Sequence, residues 1–579
     1  MPKLPPEKID KSRVIEILLQ IATLLELKNE NVFKIRAFEN AARVLEGCPS
    51  DLTALVETGE LETLKGIGKG SISKIVRELY ETGKSRDFED LCKGFPDTLF
   101  ELFRIPGLGA KRIKIMYDKL GIKSIAALTT ACQKGKLQDL DGFGKKIEEK
   151  ILQGIETLKK SEGRFLIDTA REEAKKLLTY LEKQKGIQKI ELAGSIRRHK
   201  EVIRDIDILV NAKDPLAIHE AFVHYPGTSS VVAHGETKSS ITLKIGMNCD
   251  LRTVTEKEFP YALYYFTGSK EHNVAVRTIA KKKNIKVNEY GLFKGTRLIP
   301  CKDESEIFEK LGLHYVPPEA RENSGEVEWV AKREFPRLVE EKDIRGVFHV
   351  HSTYSDGVAS LEAMIGTAEK MELEYVGISD HSQSAKYAGG LEPERVKKQW
   401  KELDLLQKKF KIRIFKGIES DILGDGKLDY HEDILSGFDF VIGSIHSRFN
   451  MPEKEMTERI CRAMGSKHLT FVGHPTGRLL LKRTGYSLDM EKLLNTAKKF
   501  GVVIEINSDP NRLDLDWRIC QMAKKKAVLT SINPDAHSIE AMGYVTYGVG
   551  IARKGWLEKK DVVNTLPLSD MEKFLKKRK

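Results

Sequence analysis

Cysteine is scarce in this sequence, and the seven cysteines are scattered without a C-x-x-C pair. This pattern excludes a disulfide framework and is typical of a protein kept in a reducing compartment. No apolar run is long enough to span a bilayer, and the first ten residues lack the apolar stretch of a secretory signal. We therefore expect a cytoplasmic protein with no membrane association.

Negative charge is also in deficit, because 85 acidic residues face 97 lysines and arginines, which leaves a formal net charge of +12 at pH 7. This excess fits a polyanion as partner, although the lysine enrichment of a thermophile would look the same. The distribution favours the polyanion, since residues 101–200 carry about +10 net charges and residues 301–350 about −4. The length of 579 residues exceeds one hydrophobic core, so we expect about three to five domains.

A short pattern, apolar–x–Gly–apolar–Gly before a helical stretch, occurs three times, at 64–75, 105–116 and 140–151. The glycines allow a tight turn, and the free N–H groups of the next helix suit a phosphate oxygen without reading a base. The pattern resembles the helix-hairpin-helix motif of DNA repair proteins; plain helix connections are the alternative. The hairpins are also candidate sites for a monovalent cation. The expected DNA contacts are Gly66, Gly68, Lys69, Gly107, Gly109, Lys111, Arg112, Gly142, Gly144 and Lys145.

Two predicted strands at 190–210, joined by a Gly-Ser turn, carry a D-x-D pair. Asp205 and Asp207 share one face of a strand, and like charges so close repel unless cations lie between them. Asp250 follows on another predicted strand, and three such carboxylates suit a two-metal phosphoryl-transfer site with Mg²⁺ or Mn²⁺. A lone D-x-D also fits solvated strand residues. The turn offers phosphate donors at Gly194, Ser195 and Arg198.

The G-S-x-R-R turn, the D-x-D pair and the following D-x-R strand together resemble the nucleotidyltransferase core of family X DNA polymerases, the polymerase beta relatives. The resemblance continues through YYFTGSKEHNVAVR (264–277) and covers about residues 1–322. It implies a DNA-directed polymerase that takes deoxynucleoside triphosphates and gapped or nicked double-stranded DNA. It implies that Tyr265 and Phe266 flank the sugar, Gly268 leaves room for the nucleotide, Asn273 reads the minor-groove edge, and Arg252 and Arg277 contact DNA.

Two lysines have open roles. Lys270 stands where the vertebrate relatives have an acidic residue, so we expect tighter binding of the free nucleotide, and an exposed lysine without a role is the alternative. Lys74 matches the lysine with which the family forms a Schiff base at an abasic site. The accompanying residues of the family are poorly kept, and an ordinary phosphate-binding lysine fits Lys74 as well.

After residue 343, apolar runs with polar endings alternate with helical stretches, which predicts parallel strands closed as a barrel. Active sites of such barrels are built at the carboxyl ends of the strands. Six of the eight histidines in this half stand there beside acids, and such ligands suit a cluster of Mn²⁺, Zn²⁺ or Fe²⁺. The candidate ligands are His349, His351, Asp356, His381, Glu419, His446, His474, Asp535 and His537.

This set resembles the PHP domain, the polymerase and histidinol phosphatase family, and the resemblance implies a complete cluster of up to three ions and phosphoesterase activity. Arg478, in the stretch GHPTGR, is a candidate phosphate contact, with a surface arginine as the alternative.

The predicted fold is multidomain, with all-α helix-hairpin-helix domains, an α+β palm and thumb, and an α/β distorted-barrel PHP domain. The predicted domains are a helical lyase-like DNA-binding domain (1–90), a helix-hairpin-helix domain (91–160), a nucleotidyltransferase palm (161–255), a nucleotide-selection subdomain (256–318), a linker (319–343) and the PHP domain (344–579).

A family X core followed by a PHP domain is the arrangement of bacterial and archaeal family X polymerases. The resemblance implies gap filling in base excision repair, Mn²⁺-dependent 3′–5′ exonuclease activity and, as a further candidate, cleavage at abasic sites. We expect a monomer in the cytoplasm, associated with the nucleoid. Two alternatives remain: a PHP domain that only stabilises the polymerase, and a DNA-binding scaffold with weak catalysis.

Overall fold

A computed structural model describes residues 11–46, 48, 51–64, 66–93, 95–105 and 108–577. The chain forms two compact units, one of residues 1–162 with 537–540 and the other of residues 163–536 with 541–579. No helix within the described ranges combines the length and the apolarity that crossing a membrane requires.

The described part of the first unit is helical, and two apolar cores hold it together. Helix α1 serves both, because Leu18 and Ile21 pack in the first core and Leu24 and Leu27 in the second. Its helices are α1 (Lys11–Leu27), α2 (Val32–Glu46), α3 (Leu52–Glu57), α4 (Ser71–Thr82), α5 (Arg86–Cys92), α6 (Asp97–Phe100), α7 (Ala110–Leu120), α8 (Ile125–Gln133) and α9 (Lys145–Ser161). The all-α prediction for this region is confirmed.

The second unit begins with a five-stranded sheet within the predicted palm. Its elements are β1 (Phe165–Leu166), α10 (Ile167–Leu181), β2 (Ile187–Leu192), α11 (Gly194–Arg197), β3 (Val202–Ile203), β4 (Asp205–Ala212), α12 (Pro215–Val223), β5 (Thr228–His234), β6 (Lys238–Leu243) and β7 (Asn248–Thr253). The strand order is β2-β4-β7-β6-β5, and among the four pairs of this sheet only β4 with β7 is parallel.

A smaller α+β segment follows, the predicted nucleotide-selection subdomain, which we call the thumb. Its elements are α13 (Phe259–Thr267), α14 (Lys270–Lys282), β8 (Ile285–Asn288), β9 (Gly291–Lys294), β10 (Arg297–Ile299) and α15 (Glu304–Lys310). The three strands form an antiparallel sheet in the order β10-β9-β8.

The segment predicted as a linker, 319–343, differs from a solvated connection because it is packed onto the thumb. Arg321 is fully buried, and its guanidinium lies 2.6 Å from a carboxylate oxygen of Glu304. Within the segment, α16 (Glu326–Val330) buries Val327 and Val330 in the thumb core. The acidic composition of this segment suggested solvent exposure, whereas cations pair with its acids: Lys554 and Arg198 with Glu322, and Arg553 with Glu319.

The chain ends in a sheet of seven parallel strands arranged in chain order. Its elements are β11 (Gly346–Val347), α17 (Leu361–Lys370), β12 (Tyr375–Ile378), α18 (Pro393–Lys409), β13 (Arg413–Asp421), α19 (Glu432–Leu435), β14 (Phe440–Ser444), α20 (Glu453–Met464), β15 (Phe471–Val472), α21 (Met490–Phe500), β16 (Val503–Asn507), α22 (Trp517–Lys525), β17 (Thr530–Asn533), α23 (Val545–Lys554) and α24 (Leu568–Lys576). A parallel bridge between Val350 and Ala536 joins the segments that follow the first and last strands. The predicted distorted barrel is therefore confirmed.

Candidate active sites

Three carboxylates meet on the central parallel pair of the palm sheet. Asp205 and Asp207 project from β4, and the register of the two strands sets Asp207 opposite Asp250 of β7. The backbone of the Gly-Ser turn touches this group, since a Cβ on Gly194 would lie 2.1 Å from Oδ2 of Asp207. The positive φ of Gly194, 60°, also favours glycine, so the turn requires glycine at this position both for its backbone and for the approach of Asp207.

The charge of this trio is only partly balanced by the chain itself. Desolvation, together with the neighbouring charges of Asp205 and Asp250, raises the pKa of Asp207 to about 7. Lys238 reaches the group, with Nζ 2.6 Å from Oδ2 of Asp250. An all-oxygen donor set with excess negative charge fits Mg²⁺ or Mn²⁺.

Two of the predicted phosphate donors, Ser195 and Arg198, line a cavity of about 900 Å³ that also borders Asp205 of the trio. The hydroxyl of Ser195 is buried there without a hydrogen-bond partner among the described residues. Arg198 is buried too, with Nε 3.1 Å from a carboxylate oxygen of Glu322, and it donates to the carbonyl of Thr267. Residues of the palm, of the segment 319–343 and of the PHP domain share the walls of this cavity.

The thumb brings most of the remaining predicted nucleotide contacts together. The rings of Tyr265 and Phe266 are nearly perpendicular, with centroids 5.3 Å apart, and the guanidinium of Arg252 lies 4.5 Å from the centre of the Phe266 ring. The side-chain amide of Asn273 donates to the carbonyl of Tyr265 at 2.8 Å. Gly268 lies against Arg198, Lys270 is exposed at the start of α14, and Arg277 follows one turn after Asn273.

The helices that follow the three hairpins begin at glycines without a side-chain cap. The N-caps are Gly70, Gly109 and Gly144, so the first amides of α4, α7 and α9 keep no side-chain partner at the cap. The first hairpin carries one more glycine than the others, which moves its helix start from Gly68 to Gly70. Gly66, Gly68 and Gly142 have positive φ, Gly107 lies outside the described residues, and Lys69, Lys74, Lys111 and Lys145 are exposed.

The PHP domain gathers histidines around one buried carboxylate, that of Glu419 on β13. Oε1 of Glu419 lies 3.2 Å from Nε2 of His349, 3.3 Å from Nε2 of His446 and 2.9 Å from Nε2 of His474. Oε2 lies 2.8 Å from Nδ1 of His381 and 3.7 Å from Nε2 of His351. Five histidines from four strand ends therefore converge on this one carboxylate, since His349 and His351 follow the same strand.

Two further predicted acids flank this group. Oδ1 of Asp535 lies 3.3 Å from Nε2 of both His349 and His351. Oδ1 of Asp356 lies 3.6 Å from Nε2 of His381. The remaining candidate, His537, comes two residues after Asp535 and falls in the segment 537–540 of the first unit. Its place among the ligands stays a prediction.

The donor set fits a metal cluster. Nε2 of His349 and Oε2 of Glu419 are buried and make no hydrogen bond within the described residues. Nε2 of His349 faces carboxylate oxygens of Glu419 and Asp535 at 3.2 and 3.3 Å. Buried polar atoms this close to one another need a cation or a proton between them. Burial alone would lower the pKa of His446, but Glu419 and Asp421 outweigh it and raise that pKa to about 10.

Two carboxylates that hydrogen-bond the candidate ligands were not predicted from the sequence. Glu505 of β16 accepts from Nδ1 of His349 at 2.7 Å, and Asp421 accepts from Nδ1 of His446 at 2.6 Å. Such carboxylates fix the imidazole tautomer at a metal. An acid inside the apolar run VVIEINS was the available signal for Glu505.

An arginine beside the cluster, Arg512, was also not predicted from the sequence. Nε of Arg512 lies 3.5 Å from Oδ2 of Asp535. The predicted contact, Arg478, instead donates to the carbonyl of Arg512 at 2.8 Å and to Asp516 at 3.0 Å. A phosphate contact by Arg478 stays a prediction, and the side chain braces the loop that carries Arg512.

Family models match four parts of the chain. They are a helix-hairpin-helix domain at 9–85, a SAM-like helix-hairpin-helix tandem at 99–157, a DNA polymerase beta thumb at 262–322 and a PHP domain at 348–509. Together with the carboxylate trio, they define the class: a polymerase-beta-like nucleotidyltransferase joined to a PHP domain.

Known relatives narrow this class. The chain is 41% identical to the DNA polymerase/3′-5′ exonuclease PolX of Bacillus subtilis (strain 168) over 572 residues, which cover 98% of this chain and 99% of that protein. Over 136 residues it is 35% identical to the Repair DNA polymerase X of African swine fever virus (isolate Tick/Malawi/Lil 20-1/1983), covering 22% of this chain and 78% of that protein. Over 178 residues it is 28% identical to a "Probable phosphatase" of Thermoanaerobacter sp. (strain X514), covering 29% of this chain and 70% of that protein. The chain belongs to the PolX family of DNA polymerases.

Proposed function

We propose that this protein extends a DNA primer at the palm and trims a DNA 3′ end at the PHP domain. The observation that carries the first half is the parallel pairing that brings Asp207 opposite Asp250, beside Asp205. The observation that carries the second half is the convergence of five histidines on the single buried carboxylate of Glu419.

At the palm, the chain binds and orients the incoming deoxynucleoside triphosphate. The unpartnered hydroxyl of Ser195 and the guanidinium of Arg198 face a cavity wide enough for its phosphates. Divalent ions held by the three aspartates would lower the pKa of the primer 3′-hydroxyl and neutralise charge that develops on the departing pyrophosphate. Desolvation and the charges of Asp205 and Asp250 raise the pKa of Asp207 to about 7, so a divalent ion held there would compete with a proton at neutral pH.

At the PHP domain, the carboxylates of Glu505 and Asp421 hold His349 and His446 with their Nε2 atoms toward the centre. A cluster of up to three Mn²⁺, Zn²⁺ or Fe²⁺ ions on these residues would supply a hydroxide from bound water at neutral pH. Arg512 contacts the phosphate to be cut, since its guanidinium borders Asp535. Tyr387 stands 70% exposed with its ring 6.1 Å from that of His381, and it offers a stacking face to the terminal base.

The substrate is a short gap or nick in duplex DNA, as arises in base excision repair, and the hairpins hold its backbone phosphates, aided by a monovalent cation. The exposure of Lys74 on α4 is compatible with attack on an abasic sugar, and the PHP cluster is a candidate for cleavage beside an abasic site. The protein acts as a monomer at the nucleoid. We propose the same domain boundaries and the same roles for the thumb residues as the sequence predicts. Among these roles, Lys270 tightens the binding of the free nucleotide.

One crossed experiment tests both halves and both alternatives. Primer extension and 3′ trimming are measured on Asp250→Ala and on His351→Ala. We expect Asp250→Ala to lose extension alone and His351→Ala to lose trimming alone, because the two residues belong to separate carboxylate and histidine clusters. Loss of trimming with Asp250→Ala, and its survival in His351→Ala, would contradict the assignment. Survival of trimming in both variants would favour a PHP domain that only stabilises the polymerase. Survival of extension in Asp250→Ala would favour a DNA-binding scaffold whose three aspartates do not catalyse extension.

A further inference from the structure

A lysine of the PHP domain lies fully buried against the nucleotide pocket of the palm. Lys554, the last residue of α23, is 0% exposed, and its Nζ donates to the backbone carbonyl of Arg198 at 3.1 Å. The same ammonium pairs with the carboxylate of Glu322 and lies 5.4 Å from the centre of the Trp517 ring. The cavity that contains Ser195 is lined by Glu322 and Trp517 as well.

Glu322 connects Lys554 to the side chain of Arg198, which we assign to the binding of the triphosphate. One oxygen of its carboxylate, Oε1, accepts from both Lys554 and Nε of Arg198, the latter at 3.1 Å. Oε2 lies 3.8 Å from Nζ of Lys200. The far end of the Arg198 guanidinium donates to the carbonyl of Thr267, just before the thumb glycine. A PHP ammonium, a carboxylate and a palm guanidinium thus form one buried chain.

Helix α23 packs closely against the palm beside this chain. Gly550, four residues before Lys554 on α23, approaches the palm so closely that a Cβ there would lie 2.0 Å from Nδ1 of His199. Burying an ammonium and a carboxylate is costly unless each is paired, so removal of either partner forces the other to find a new contact. The nearest charged group available to Glu322 is then Arg198, whose guanidinium would be drawn fully onto the carboxylate.

We propose that Lys554 is a positioning residue for nucleotide binding: it shares the carboxylate of Glu322 and holds the carbonyl of Arg198, which keeps the Arg198 guanidinium directed at the triphosphate. The PHP domain is then part of the nucleotide site of the palm, separately from its own metal cluster. This inference rests on the proposed polymerase function.

The test compares two adjacent residues of α23 in single-nucleotide gap filling by the full chain. Lys554→Met should raise KM for the deoxynucleoside triphosphate about tenfold, with a smaller change in kcat and with trimming retained. Lys554→Arg should restore most of the affinity. Arg553→Met is the matched control, because Arg553 pairs with Glu319, at 2.7 Å, and that carboxylate makes no hydrogen bond to Arg198 in the structure. Its KM should stay near the wild-type value.

An unchanged KM in Lys554→Met, or an equal rise in Arg553→Met, would overturn the inference. If Lys554→Met does not fold, Lys554→Met combined with Glu322→Gln removes both buried charges and carries the same test. Its KM should rise about tenfold as well, because Arg198 loses both the Lys554 ammonium and the shared carboxylate, and an unchanged KM in the double variant would overturn the inference. Failure of the wild-type protein to extend a primer would instead reject the polymerase function itself, so the two failures are distinguishable.

Discussion

Replacing Glu505 by glutamine tests how far the PHP cluster depends on a residue that binds no substrate. Oε1 of Glu505 accepts from Nδ1 of His349 at 2.7 Å and from the amide of Asn533 at 3.0 Å. Oε2 accepts from the backbone N–H of His474 at 2.7 Å and from the amide of Asn507 at 3.2 Å. The carboxylate is fully buried, so it satisfies these four donors without help from solvent.

Glutamine cannot reproduce this pattern. Whichever way its amide is turned, the –NH₂ group faces two donors, and two hydrogen bonds of the set are lost. Outer carboxylates of this kind are worth about 10–100-fold in metal affinity, which equals about 1.4–2.7 kcal/mol. We therefore expect the Glu505→Gln variant to need about 10–100-fold more Mn²⁺ than the wild type for half-maximal trimming.

The assay is a titration of 3′ trimming with Mn²⁺, paired with the metal content of the protein after gel filtration. Primer extension in Mg²⁺ on the same preparation is the control, because the palm trio does not contact Glu505. A Mn²⁺ midpoint and a metal content equal to those of the wild type would refute the reasoning. Loss of extension together with trimming would point to general unfolding and not to the cluster.

Two further changes probe other parts of the molecule. Burial would raise the pKa of Glu304, but Arg321 and Arg197 outweigh it and lower the pKa to about 2. This carboxylate therefore contributes about 3 kcal/mol to stability at neutral pH, a contribution fully present above about pH 4.5 and lost as the pH falls toward 2. Glu304→Gln should lower the unfolding free energy in urea at pH 7 by that order, and the gap to the wild type should close near pH 2; a gap independent of pH contradicts the ion-pair argument. Tyr387→Ala should raise KM for a single-stranded 3′ end roughly tenfold while Tyr387→Phe does not, and hydrolysis of bis(p-nitrophenyl) phosphate, which has no base to stack, should be unchanged; equal losses on both substrates contradict stacking.

Local patterns along the chain were enough to predict the helix-hairpin-helix turns, the carboxylates of the palm and the barrel of parallel strands. Each of these features depends on residues that are close together in the sequence. Glycine spacing sets a turn, alternate residues share a strand face, and alternation of strands and helices favours parallel strands. The alternation of His349 and His351 within 348–357 made them candidate ligands for the same reason, and their binding of metal stays a prediction. The prediction of a linker at 319–343 differed from the structure because composition reports charge and not its partners, and Arg321 is fully buried beside Glu304.

Contacts between residues far apart in the sequence leave no local pattern, and only the folded chain brings these residues together. Glu505 reaches His349 across 156 positions, and Lys554 reaches Arg198 across 356. Each of these side chains is unremarkable in its own segment, a single charge in an apolar strand or at a helix end. The chemistry of the ligands therefore follows from the residue types, whereas their orientation follows from which buried charges the fold makes neighbours, because a buried charge must find a partner.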